Sequence, residues 1–112
     1  MNFELNNIIC QSDYLVEIKK NQLKFGDQVV LKTHNSTYTI KVDFDGKYIV
    51  SGGWFDDKNV SPLKITIKGC TWGGSVIKTD IIAARDLFLE FGNNLVTSRI
   101  KKIFIFHNYN QN

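Results

Sequence analysis

Two aromatic–glycine blocks hold the side chains of this chain with the most chemistry to offer. Ser51-Gly52-Gly53-Trp54-Phe55-Asp56-Asp57 is the first, and Gly69-Cys70-Thr71-Trp72-Gly73-Gly74-Ser75 is the second. Large rings beside carboxylates and hydroxyls suit contact with a peptide, a sugar ring or a stacked base. Trp54, Phe55, Asp56, Asp57, Thr71 and Trp72 are therefore the candidate partner- or ligand-binding residues. Catalysis has a weaker case. A cysteine nucleophile needs a base and oxyanion donors, and no histidine stands near Cys70 in the sequence. His34 and His107 are the only histidines, and a metal site usually needs three or four convergent ligands. Asp80, Asp86 and Glu90 would need a cleft to work as paired carboxylates. The chain has no phosphate-binding loop, dinucleotide-binding glycine motif or zinc-protease helix motif. The expectation is a protein without catalytic residues, metal or cofactor.

The glycines of the two blocks also have a purely structural reading. Paired glycines permit bulges and close backbone approach, so the tryptophans can be core-edge aromatics over which a sheet bends. Both readings stay open at this level.

Charge points weakly to partners. Fourteen Lys and Arg against eleven Asp and Glu leave a net charge of +3. Dedicated nucleic-acid binders concentrate a larger excess on one face. The densest groups are Lys19-Lys20 with Lys24, and Arg99 with Lys101-Lys102. Arg99, Lys101 and Lys102 form a candidate basic edge. Strand alternation would put Arg99 and Lys101 on one face and Lys102 on the other. Phosphate contacts there, with stacking on Tyr38 or Trp72, would be the route to nucleic-acid binding.

The elements that must position these residues are short strands. Gln28 to Thr33 and Thr37 to Asp43 read as strands, the second with Tyr38, Ile40 and Val42 on one face. Asp45-Gly46 predicts a two-residue type I′ hairpin. That turn would pair Val42 with Ile49, Ile40 with Ser51 and Tyr38 with Gly53. Phe55 to Pro62 reads as a loop, and Leu63 to Lys68 as one strand. Ile81 to Arg85 reads as extended, Leu87 to Phe91 as a strand with Leu87, Leu89 and Phe91 on one face, and Gly92-Asn93-Asn94 as a connection. Ile100 to Phe106 is nearly all apolar, as a strand buried on both faces or packed against the N-terminal segment would be. Strands at this spacing predict an all-β fold, a small single-domain barrel in preference to a two-sheet sandwich. Residues 1–20 form an N-terminal segment, short helix or irregular, 21–106 the domain, and 107–112 a frayed polar tail.

Val50-Ser51-Gly52-Gly53-Trp54-Phe55, then Gly69 through Ile82 with its G-x-T-W-G-G-S block, then Val96-Thr97-Ser98-Arg99-Ile100 resemble a set of small bacterial β-proteins. The resemblance spans about residues 23–106. It implies the fold and carries no activity, substrate or site residue.

Residues 1–7 have no basic leader pattern, and no stretch approaches the ~20 apolar residues of a membrane span. Cys10 and Cys70 lie sixty apart with no CxxC. A cytoplasmic protein with reduced thiols is the expectation. The functional expectation is a non-catalytic binding module acting by protein–protein contact or self-association through its aromatic and glycine surface and sheet edges. Single-stranded nucleic-acid binding and small-ligand or carbohydrate binding at Trp54 and Trp72 are the alternatives.

Overall fold

Alternating apolar residues make this chain a series of antiparallel ladders. The computed structural model describes residues 16–73 and 76–108. The strands are β1 (Glu17–Lys19), β2 (Gln28–Thr33), β3 (Thr37–Val42), β4 (Tyr48–Gly52), β5 (Leu63–Ile65), β6 (Ile67–Thr71), β7 (Ile77–Lys78), β8 (Ile81–Ala84), β9 (Phe88–Phe91) and β10 (Ile100–Phe106). A 3-10 turn, Lys20–Gln22, follows β1, and one short helix, α1 (Gly53–Asp57), follows β4. The fold is all-β. One sheet runs β10-β2-β3-β4-β5, a second β7-β6-β9, and β1 pairs with β8.

The core lies between these ladders. The first sheet turns Val29, Leu31, Tyr38, Ile40, Tyr48, Val50, Ile103 and Ile105 inward, and the second contributes Ile67, Cys70, Leu89 and Phe91. All four residues of β8 are buried, because β8 packs against β6, β9 and β10 as well as pairing with β1. The extended reading of Ile81 to Arg85 and the shared face of Leu89 and Phe91 are as expected.

Among the described residues the ladders do not close into a barrel. Thr66 marks the break. The expected single strand from Leu63 to Lys68 is two strands, with Thr66 between β5 in the first sheet and β6 in the second. The Thr66 carbonyl accepts from Gly92 N–H at 2.8 Å, so the chain turns into the second sheet there instead of lengthening β5.

The Asp45-Gly46 turn forms, with φ of 62° and 71°, but the register is one residue off the expected one. Val42 faces Tyr48, Ile40 faces Val50 and Tyr38 faces Gly52. Asp43 N–H, and not Phe44 N–H, donates to the Lys47 carbonyl at 3.0 Å, leaving Phe44 as an extra residue. Phe44 turns outward and stacks on Phe25 with centroids 4.1 Å apart. A one-residue slip reverses a strand's faces, so Tyr48 and Val50 enter the core where Ile49 and Ser51 were expected.

Three more expectations need correction. Phe55 to Pro62 is not all loop, because α1 occupies its start. Asp56 organises that turn: its Oδ1 accepts from Gly52 N–H at 2.9 Å and from the Ser61 hydroxyl. β10 is not buried on both faces, since Phe104 and Phe106 remain half-exposed. The tail is anchored at its start: the buried Asp27 carboxylate accepts Lys24 N–H at 2.9 Å and Asn108 N–H at 2.8 Å, with His107 Nδ1 at 3.1 Å. Most of the N-terminal segment, Cys10 and residues 109–112 lie outside the described residues; β1 and the 3-10 turn are the described end of that segment.

Candidate functional site

The two aromatic blocks sit at opposite ends of the β6–β9 ladder. Phe55 touches Phe91, which pairs with Ile67 at the start of β6. Trp72 follows Thr71, which pairs with Phe88 at the other end. Trp72 is five residue steps along the chain from Ile67, roughly 16 Å at strand rise. A single groove lined by Trp54 and Trp72 is thus not what the fold builds.

The first block is mostly core. Phe55 is 0% exposed and meets Phe91 edge-on at 5.0 Å, Tyr38 at 6.1 Å and Trp54 at 5.3 Å between centroids. Such edge-to-face rings lock one another beyond simple burial. Phe55 is therefore no surface contact, and Tyr38, 4% exposed, is no stacking platform. Trp54 is half-buried against the same cluster. Asp56 is committed to its turn: the Ser61 hydroxyl, then Gly52 N–H, hold its carboxyl below the usual range. Asp57 is exposed on the last residue of α1.

The second block opens a surface. Thr71 is buried and its Oγ1 accepts Gly73 N–H at 3.1 Å, a local hydroxyl turn that sends the next residue outward. Trp72 is 55% exposed, with the Lys78 ammonium over its ring at 5.8 Å. Across β9, the Arg99 guanidinium lies over the Phe88 ring at 4.7 Å. Arg99 Nη1 donates to the Asp86 carbonyl at 2.8 Å, and Lys101 Nζ stands 3.7 Å from the Asp86 carboxylate. His34, Phe88, Ser98, Arg99 and Lys101 line an open cleft of about 280 Å³. Its floor is fixed by backbone: His34 N–H reaches the Arg99 carbonyl at 2.9 Å, and Asn35 N–H the Ser98 hydroxyl at 3.0 Å.

The basic edge thus lies beside Phe88, at the Trp72 end of the β6–β9 ladder. Its alternation differs from expectation. The β10–β2 register shifts between Ile100 and Lys102, a bulge around Lys101. Lys101 and Lys102 both face solvent, while Ile100 and Ile103 both enter the core.

No family model, curated protein or solved structure matches this chain. The resemblance to small bacterial β-proteins rests on its motif residues alone, and the site must be read from its own geometry.

Phe88, Lys78 and His34 were missed by sequence reasoning. Phe88 did carry a signal: it is an aromatic on the outward phase of a strand whose Leu89 and Phe91 face in. His34 and Lys78 are brought in by pairing across strands, which no local pattern encodes.

Cys70 is fully buried, and burial pushes its thiol up to about 12. The thiolate is the nucleophilic form, so Cys70 is a packed apolar residue at neutral pH. Two outcomes follow. In a Cys10→Ser background, an aromatic disulfide reagent reacts with Cys70 only on unfolding. An acid whose pKa is raised by folding stabilises fully below its unfolded value of about 8.5, and that contribution fades as pH rises toward about 12. Denaturant titrations from pH ~9 upward should therefore show a slope steeper than that of Cys70→Ala by up to about 1.4 kcal/mol per pH unit. Equal slopes would contradict the burial.

Among the described residues no three His, Cys, Asp or Glu side chains converge as metal ligands. No helix among them is long and apolar enough to cross a membrane.

Proposed function

We propose that this protein is a non-catalytic binding module whose contact surface is the Trp72 end of the β6–β9 ladder. The observation that carries the reading is the exposed Trp72 ring under the Lys78 ammonium, with a second cation–ring contact, Arg99 on Phe88, beside the His34–Lys101 cleft at the same end of the ladder. Trp and Arg are the residues that concentrate binding energy at interfaces. Here they stand at strand ends, Trp72 just after β6 and Arg99 just before β10, and hydrogen bonds at Thr71 and Asp86 tie the chain there, so little order has to be gained on contact. The partner that fits offers an anionic group beside a flat or apolar one. Protein–protein contact, a second copy of the chain included, has that chemistry.

The carbohydrate reading at Trp54 and Trp72 loses support, because the two rings are not one platform. The Trp54 end is instead part of the scaffold.

Acrylamide quenching combined with single tryptophan replacements tests the surface. Trp72→Phe should remove most of the quenchable emission, and Trp54→Phe should remove little of it. Trp72→Ala should change stability by within about 0.5 kcal/mol, as surface positions do. A protein unfolded by Trp72→Ala, or one whose quenchable emission belongs to Trp54, would overturn the reading. Sedimentation velocity decides the self-association branch: an oligomer dissolved by Trp72→Ala would make the partner a second copy.

A further inference from the structure

We infer that the outer face of the first sheet docks single-stranded nucleic acid, a surface separate from the Trp72 end. Strand register fixes which side chains share that face. Ile103 and Ile105 of β10 and Leu31 of β2 point into the core, so Lys102, Phe104 and Phe106 on β10, and Lys32 on β2, point out. The same alternation sends Lys41 of β3 and Lys64 of β5 outward. Lys102 stands opposite Lys32 and Phe104 opposite Val30. Phe106 stands opposite Gln28, and that row continues through Lys41 and Ile49 to Lys64. The four lysines are exposed, and the two phenyl rings are half-exposed.

Two observations call for an anionic partner. First, these rows contain no acid. Asp43, the next outward position on β3, already bridges Lys64 at 3.1 Å. Second, Lys32 and Lys102 face each other directly, with no ion pair to either among the described residues. Like charges so placed destabilise a sheet. Lysines on edge strands guard against stray pairing, which accounts for Lys102 on β10. It does not account for Lys32, because β2 lies between β10 and β3.

The rings select the kind of anion. Phe104 and Phe106 are two residues apart on one face, roughly 7 Å at strand rise. Sheet-borne aromatics at such positions stack successive bases, while lysines take the phosphates. Thr39 and Gln28, opposite and beside these rings, add hydrogen-bonding groups for base edges. Rings half-buried on a flat sheet do not reach the acyl boundary, about 5–10 Å deep, that membrane-surface binding uses.

The test is fluorescence anisotropy of a labelled oligothymidylate titrated with the full chain at several salt concentrations. Lys32, Lys41 and Lys102 acting on phosphates give a slope of log K against log salt of about −2. Lys32→Gln with Lys102→Gln should flatten it by about 1.4, and should not lower the melting temperature, because an opposed like-charged pair is removed. Lys19→Gln, on β1 and off this face, should leave the slope alone. Phe104→Leu with Phe106→Leu should weaken binding on the order of 10-fold to 100-fold without changing the slope, circular dichroism confirming that the chain is folded. Phe106→Tyr keeps a stacking ring and should bind like the parent. No anisotropy change at low salt overturns the inference. So does binding that a polyglutamate peptide matches and the leucine pair retains, because that is charge attraction without stacking. Binding to phosphatidylserine vesicles in place of the oligonucleotide would overturn it in favour of a membrane surface. None of these variants touches the Trp72 end, so this inference and the contact surface proposed above fail separately.

Discussion

Phe55→Ala is expected to destabilise the fold by about 3–5 kcal/mol, the range for truncating a buried phenyl ring. The argument is geometric. Phe55 is 0% exposed and its ring bridges both sheets, meeting Tyr38 on β3 and Phe91 on β9. A cavity at that point loses contacts from the two layers at once, and the neighbours are themselves rings locked edge to face, which collapse poorly. It also removes the apolar anchor of α1, which is otherwise tied by the Trp54 packing and by the Asp56 bonds to Gly52 and Ser61. For a domain with a total stability of about 5–15 kcal/mol, the loss is a large share, and the melting temperature should fall by roughly 12–20 °C. Phe55→Leu, which keeps most of the volume, should recover part of it. Differential scanning calorimetry of Phe55→Ala beside Trp72→Ala makes the comparison sharp. If Trp72→Ala proves the more damaging of the two, the division into a structural and a surface aromatic block is wrong.

That division was only half legible in the sequence. The inward phases of β3 and β9 follow from alternation alone, and so does the all-β class. The Asp45-Gly46 turn was visible, but the register was not. It hinges on whether Phe44 or Asp43 closes the hairpin, and Phe25, nineteen positions earlier, decides that by stacking on Phe44. The break at Thr66 is invisible for a similar reason. Leu63, Ile65 and Ile67 alternate without interruption, yet the Thr66 carbonyl is claimed by Gly92 from the far end of β9. Local composition also made residues 55–62 look like loop, because Asp56 and Ser61 are turn formers. Here their hydrogen bonds close a helical turn around a buried ring.

The candidate site suffered most from this locality. Trp72, Arg99 and Lys101 were all marked, but in separate groups, and nothing local joins them. What brings them to one end of the β6–β9 ladder is the pairing that sets Phe88 opposite Thr71, with the bulge at Lys101 leaving consecutive lysines on the surface. Thr97 shows the same logic in the backbone: its hydroxyl accepts Leu89 N–H at 3.1 Å and donates to the Ser98 carbonyl at 2.7 Å. That it holds β9 beneath the cleft required the fold.

Gly69→Ala and Gly52→Ala should be more damaging still, each costing above about 4 kcal/mol, where single substitutions become exceptional. Both positions combine two penalties. Their φ angles of 144° and 94° lie where L side chains are strained. In addition, a Cβ on Gly69 would stand 2.1 Å from the Lys78 carbonyl oxygen, and one on Gly52 would stand 2.2 Å from that of Thr37. The obstructing atoms are backbone in paired strands, so relief means parting β6 from β7 or β3 from β4. Gly46 separates the two penalties. It has φ of 71° but nothing within 4 Å of an added Cβ, so Gly46→Ala should cost only the conformational part, about 1–2 kcal/mol. Urea titration of the three variants should therefore rank Gly46→Ala far milder than the other two, and similar midpoints would show that the close approaches are not real constraints. The consequence reaches the site as well. Lys78 is both the residue that an added Cβ at Gly69 would strike and the cation over Trp72. Any Gly69→Ala chain that still folds must therefore displace β7, and should bind as poorly as a chain lacking Lys78.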